Sequence, residues 1–183
     1  MTLTDIANIA LEDIGAKAIS SIDGDDVLAR KIKRRLPITI SEVSNKRNWS
    51  CLLKTMLCSR VEGKSFDGRN LFNKPNGLLK IVAPALVSVE GDYIVHHNEN
   101  LKIQASIISE NPDEWDENLR GAILSQLKAD IAFMATGDIQ LTGQLKQIAE
   151  REIQHYMRND FYKSKGKRLK QRILTEGHFV ESC

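Results

Sequence analysis

The chain has 183 residues, 42% of them hydrophobic, and 26 Lys+Arg set against 24 Asp+Glu leave a net charge of +2. This balance predicts one domain with a core of its own, and it excludes a wholly disordered chain and a uniformly basic nucleic-acid binder. No membrane span is expected, because the longest apolar run, Ile81–Val89, falls short of roughly 20 residues and contains Pro84.

The opening MTLTDIANIALEDIG carries Asp5 and no basic lead-in, so it reads as a helix and not as a secretory signal. Thr4–Asp5 marks its start, Ile6, Ile9, Ala10 and Ile14 form one stripe, and Gly15 is its stop. A short extended stretch, Ala18–Ile22, leads to the acidic turn Asp23–Asp26. A second helix begins there, with Leu28, Ile32, Leu36, Ile40 and Val43 on one face. Pro37 lies within that stripe, which predicts a kink or break near Arg34–Arg35. The opposite face carries Arg30, Lys31, Lys33 and Arg34 and is expected to be exposed or to contact a neighbouring subunit.

From Trp49 the texture changes to short runs rich in Val, Ile and Leu, punctuated by glycines. Ser50–Val61, Gly77–Val82, Val87–Val89, Asp92–His96 and Leu101–Ile108 read as strands. YIVHHNENLKI has the pattern of a hairpin, and Phe66–Gly77 reads as a long loop. Helix returns at Asn111-Pro112-Asp113-Glu114, whose Asn, Pro and acids suit a helix start, and continues from Trp115 to about Ala135. After a break at Thr136–Asp138 a last helix runs to roughly Tyr162. The expected fold class is α+β: a mainly α-helical bundle of about four helices, an antiparallel β insertion between helices two and three, and an extended C-terminal tail. The corresponding organisation is 1–49 and 110–162 in the α-helical part, 50–109 in the β insertion, and 163–183 as a basic tail. Trp49, Trp115 and Gly15 are expected structural anchors.

The charges are unevenly placed. Glu110–Glu117 reads ENPDEWDE, with five acids and no base, whereas Lys163–Arg172 reads KSKGKRLKQR, with six bases and no acid. Lys163, Lys165, Lys167, Arg168, Lys170 and Arg172 suit an acidic partner, and Ile173, Leu174, Phe179 and Val180 beyond them would bury in a groove on that partner.

Sites for chemistry are scarce. Glycine-rich phosphate loops and a GxSxG context are absent. His96 and His97 would point to opposite faces of a strand, so no metal site is expected. Asp113, Glu114, Asp116 and Glu117 are accounted for by helix capping, and His155 and Tyr156 have no nucleophile beside them. Cys51, Cys58 and Cys183, odd in number and scattered, point to a reducing compartment rather than a disulfide framework. No enzyme and no cofactor are expected.

Several segments in order resemble a phage family, the tail tubular proteins, or head–tail adaptors (connectors), of short-tailed phages. The helix Ala7–Gly15 matches an AxxxLxxIG-like ending, Ile19–Asp25 follows, a long helix closes on Asn48-Trp49, and a later helix begins at the acidic Asp113-Glu114-Trp115-Asp116. The resemblance covers about residues 3 to 165. It implies a virion protein at the head–tail junction, assembled in the host cytoplasm as a ring, typically of twelve copies. The implied partners are the portal protein, the tail nozzle and tail fibres, and double-stranded DNA passing through the lumen without sequence recognition. The Lys163–Cys183 tail would dock on the portal. The alternative is a DNA-binding ring protein such as a small terminase subunit. Its DNA-reading module would have to be the N-terminal helix pair, where Asp23–Asp26 is acidic at the position a phosphate would take.

Overall fold

The structure, a computed structural model, describes residues 1–176, with side chains described to Lys165. It is an α+β fold of four helices and two antiparallel sheets.

Helix α1 spans Leu3–Asp13. Its cap is Thr2 and not the expected Thr4: Thr2 Oγ1 accepts from the Asp5 amide at 3.1 Å, and Asp5 returns a carboxylate to the Thr2 amide at 2.7 Å. Thr4 instead accepts from the amide of Ile22. Gly15 ends the helix at φ +71°, where only a residue without a Cβ is at ease, and the Gly15 and Ala16 amides close on the Glu12 and Leu11 carbonyls. Ala18–Ile22 pairs with no strand; Asn8 holds it against α1 through both groups of the Ile19 backbone, at 2.9 and 3.0 Å.

Helix α2, Val27–Asn45, starts on Asp26. It runs unbroken through Pro37, so of the kink or break expected near Arg34–Arg35 the break does not occur. Pro37 lies on the exposed side, where water can take the carbonyl that loses its amide partner. A 3-10 turn, Ser50–Leu52, then leads into the strands.

Seven strands follow: β1 Leu53–Cys58, β2 Arg60–Lys64, β3 Asn70–Asn73, β4 Leu78–Ala83, β5 Ser88–Glu90, β6 Tyr93–His96 and β7 Leu101–Ile107. They form a three-stranded sheet β1-β7-β4 and a four-stranded sheet β2-β3-β6-β5. Three expectations change here. The run Ser50–Val61 is a turn and two strands, because β1 pairs with β7 while β2 pairs with β3. The supposed loop Phe66–Gly77 contains β3, the centre of its sheet beside β6, with Phe72 fully buried. YIVHHNENLKI is no hairpin, since β6 and β7 belong to different sheets. Asn70 Nδ2 donates to the carbonyls of His97 and Asn98 at 3.0 and 2.9 Å and so fixes the crossing between the sheets.

Asn111–Glu114 caps a separate 3-10 turn, Pro112–Glu114, instead of the helix itself. Trp115 is extended, and helix α3, Glu117–Thr136, begins on Asp116, whose carboxylate accepts from the Leu119 amide at 2.9 Å. Gly137 at φ +72° ends α3, and helix α4 runs from Ile139 to Glu176, well past the end expected near Tyr162.

Helix α3 is the axis of the helical core, in contact with α1, α2 and α4. Enclosure on several sides explains why its buried residues, from Leu119 and Ala122 to Ile131 and Ala132, are spread around the helix. Trp49, Leu52 and Trp115 close the same core. Each indole N–H finds a carbonyl, that of Val43 at 3.0 Å and that of Ser109 at 2.8 Å. The strands have a smaller core of their own, built on Phe72, Ile94, Leu101, Ile103 and Ala105.

Candidate functional site

Helix α4 packs along α3, and three contacts decide how it lies. At its start-proximal half, Ser125 of α3 donates its hydroxyl to Glu152. One turn on, Gly121 lets α3 approach the ring of Tyr156: a Cβ there would stand 2.4 Å from Cζ and 2.8 Å from Oη. Farther along, Asp160 is fully buried. It accepts from the amide of Ser50 at 3.2 Å and from the Ser50 hydroxyl, and Arg47 Nε lies 3.3 Å from its second oxygen. Arg47 also donates to the Met157 carbonyl and lies over the Phe161 ring at 5.7 Å. The end of α2 and the entry to the strands are thereby clamped to α4 through one buried ion pair.

The acidic and basic runs meet within the chain. Asp113 pairs with the Met1 amine at 3.0 Å, Glu114 with Lys54 at 2.8 Å, and Glu117 with Lys163 at 3.7 Å. The hydrogen bond and charge of Lys54 hold the Glu114 carboxyl below its usual range. The acidic turn thus receives cations from the chain start, β1 and α4, each exchangeable because both members are exposed or half-exposed.

From Lys163 onward α4 has passed the start of α3. A helix rises about 1.5 Å per residue, so the stretch Ser164–Glu176 extends about 20 Å farther. Lys163 and Lys165 are exposed. Lys167, Arg168, Lys170, Arg172, Ile173 and Leu174 lie on helical backbone, with side chains outside the described residues. Phe179 and Val180 lie outside the described residues altogether. The basic segment therefore begins as a continuation of α4 rather than as a separate tail at residue 163. The apolar stripe stops at Tyr156 and Met157, which made Tyr162 look like an end, but a basic run of helix-compatible residues does not terminate a helix.

On α2, Arg30, Lys31, Lys33 and Arg34 are all exposed, and Lys33 reaches Asp23 at 2.8 Å. This face lies away from the buried stripe of Ile32, Leu36, Ile40 and Val43.

Several grooves flank α4, and two are distinguished by their walls. One, of about 620 Å³, lies beside Lys46 and is walled by Glu150, Arg151, His155 and Arg158, with the buried Ile153 at its base. The other, of about 490 Å³, lies toward the start of α3, among Asn118, Tyr156, Asn159, Tyr162 and Lys163. Asn118, Gly121, Arg47 and Asp160 were not singled out by the sequence. The available signals were a glycine inside an otherwise apolar helical run and a lone acid between Arg158 and Lys163.

The other candidate positions resolve into structural roles. His96 is buried and accepts through Nδ1 from the Asn98 amide at 3.1 Å, while His97 is exposed. Burial pushes the Cys51 thiol up to about 11 and raises that of Cys58 as well. Among the described residues, no group of three or more His, Cys, Asp or Glu side chains is placed to hold a metal ion, and no helix is long and apolar enough to cross a membrane. Compared with known proteins, the chain matches no family model and no curated protein.

Proposed function

We propose that this chain is the subunit of a head–tail adaptor ring of a short-tailed phage, with the portal as its docking partner and the tail nozzle and fibres on its far side. The observation that carries the reading is α4, one helix of 38 residues that continues past α3 and takes the basic run with it. A basic helix projecting from a packed bundle is suited to an acidic socket on another protein, and repeated copies in a ring multiply a weak individual contact. The exposed face of α2 and the grooves beside α4 supply unlike surfaces on one subunit. A head-to-tail ring requires such unlike surfaces, and it closes when the rotation per subunit divides a full turn. The chemistry is assembly, and DNA passes without being read.

Size-exclusion chromatography with light scattering on the chain alone and with purified portal tests this. Twelve copies of a 20.6 kDa chain give about 250 kDa. Ring formation on the portal is expected; a chain that stays monomeric with portal present refutes it. The second reading, a DNA-binding ring such as a small terminase subunit, draws on the exposed basic face of α2. It predicts a salt slope of about −3.6 in log affinity for four phosphate contacts, whereas the adaptor predicts weak duplex binding.

A further inference from the structure

The groove beside Lys46 gathers like charges that the chain leaves without counter-ions. Arg151 and Arg158 stand seven residues apart on α4, so they share one face and lie about 10 Å apart along its axis. Lys46, just past the end of α2, lines the same groove of about 620 Å³, and all three side chains are exposed. Among the described residues none of the three forms an ion pair, and Glu150 is the only acid lining the groove. The nearby carboxylates are engaged elsewhere: Glu42 with Arg35, Glu152 with Ser125 and Asp160 with Arg47. Three cations against one acid in a concave wall repel one another and attract an anion. The opposite imbalance lies across α4. The five acids of Glu110–Glu117 receive three cations, those of Met1, Lys54 and Lys163, and among the described residues Glu110 pairs with none. His155 lines both grooves, with Lys46 in one and Glu117 in the other, so α4 stands between the two patches within one chain.

We propose that the groove of Lys46, Arg151 and Arg158 binds the acidic turn Glu110–Glu117 of a second copy of this chain, head to tail. This rests on the ring reading and names the charges that make the contact between its subunits. Glu110 has no cation to give up, and the ion pairs of Asp113 and Glu117 join exposed or half-exposed groups that exchange at little cost. Four residues lead from Asp113 to Glu117, a reach of at most about 14 Å, so acids of one turn can face both guanidinium groups. Groove against groove, or turn against turn, would set like charges together, so only the head-to-tail order is favourable. Each copy then holds one neighbour through its groove and another through its turn, the unlike contacts from which a closed ring is built.

The test is sedimentation velocity on the full chain, with circular dichroism to check that each variant is folded. The parent is expected to self-associate at about 0.1 mM protein in about 0.03 M salt, and at least about tenfold more weakly in about 0.5 M salt. Arg151→Glu/Arg158→Glu and Glu110→Lys/Asp113→Lys change exposed positions, and each pair sets like charges at the contact. Each is expected to weaken association by at least about tenfold. An equimolar mixture of the two is expected to associate like the parent, because every contact between unlike variants again joins opposite charges. Loss of folding would not produce that rescue. The proposal is overturned if the parent stays monomeric at low salt, if salt has no effect, if either double variant associates like the parent, or if the mixture stays dissociated. A ring that forms on the portal from either variant alone overturns this contact and leaves the ring reading standing. A parent chain that stays monomeric with portal present overturns both.

Discussion

Gly121→Ala tests the packing of α4 on α3 by the sign of its effect. In a helix with open space beside it, Ala is favoured over Gly by about 1 kcal/mol. At Gly121 the new methyl would lie 2.4, 2.6 and 2.8 Å from Cζ, Cε1 and Oη of Tyr156, inside any ordinary contact distance. Either the phenol swings away and gives up its seat on α3, or α4 shifts; overpacking of this kind costs about 1–3 kcal/mol. The net expectation is a loss of about 1 kcal/mol, read as a lower urea midpoint at unchanged slope. The same substitution in a Tyr156→Ala background should change sign and stabilise by about 1 kcal/mol, since the obstacle is gone. If Gly121→Ala stabilises the parent chain, the close approach of α3 and α4 at this point is wrong.

Asp160→Asn is expected to cost about 3 kcal/mol in chemical denaturation by leaving Arg47 without its buried partner, and Arg47→Met/Asp160→Leu should recover most of that loss. Thr2→Ala should cost about 1 kcal/mol through the lost cap of α1. The hydrogen bonds of Thr2 hold the Asp5 carboxyl below its ordinary 3.8, those of Ser65 and Arg69 lower Asp67, and Lys54 lowers Glu114 from 4.5. Depressed folded-state values mean that this stability is complete above the ordinary values and disappears as the pH falls through the lowered ones. Acid denaturation followed by circular dichroism should therefore show less acid sensitivity in Thr2→Ala than in the parent. With its thiol pushed up to about 11, Cys51 should react with a disulfide reagent at pH 8 far more slowly than an unfolded cysteine, and denaturant should remove the difference. Arg168→Pro should lower the helical signal at 222 nm if α4 continues to Glu176; an unchanged signal would place its end earlier.

Much of the helical part was legible because its signals are local. The stripe of Leu28, Ile32, Leu36, Ile40 and Val43, the acids before α2 and Gly15 and Gly137 at helix ends depend on neighbours within one or two turns. Local signals mislead where two candidates compete. Thr2 and Thr4 are equally good caps, and what separates them is that Asp5 stands three residues beyond Thr2 while Ile22 occupies Thr4.

The α+β class, the four helices and the β insertion between the second and third followed from composition, periodicity and turn residues alone. Strand partnership did not, because β3 and β6 pair across more than twenty residues and β6 and β7, neighbours in sequence, enter different sheets. Pairing is decided by which edges are free once the chain has folded, and four residues such as Asn70–Asn73 carry too little pattern to announce it. The candidate site divides in the same way. The basic run could be read directly, but its helical continuation, the Arg47–Asp160 clamp and the Asn118 groove could not. The clamp and the groove join residues far apart in the chain, and only tertiary packing sets the distance and burial between them.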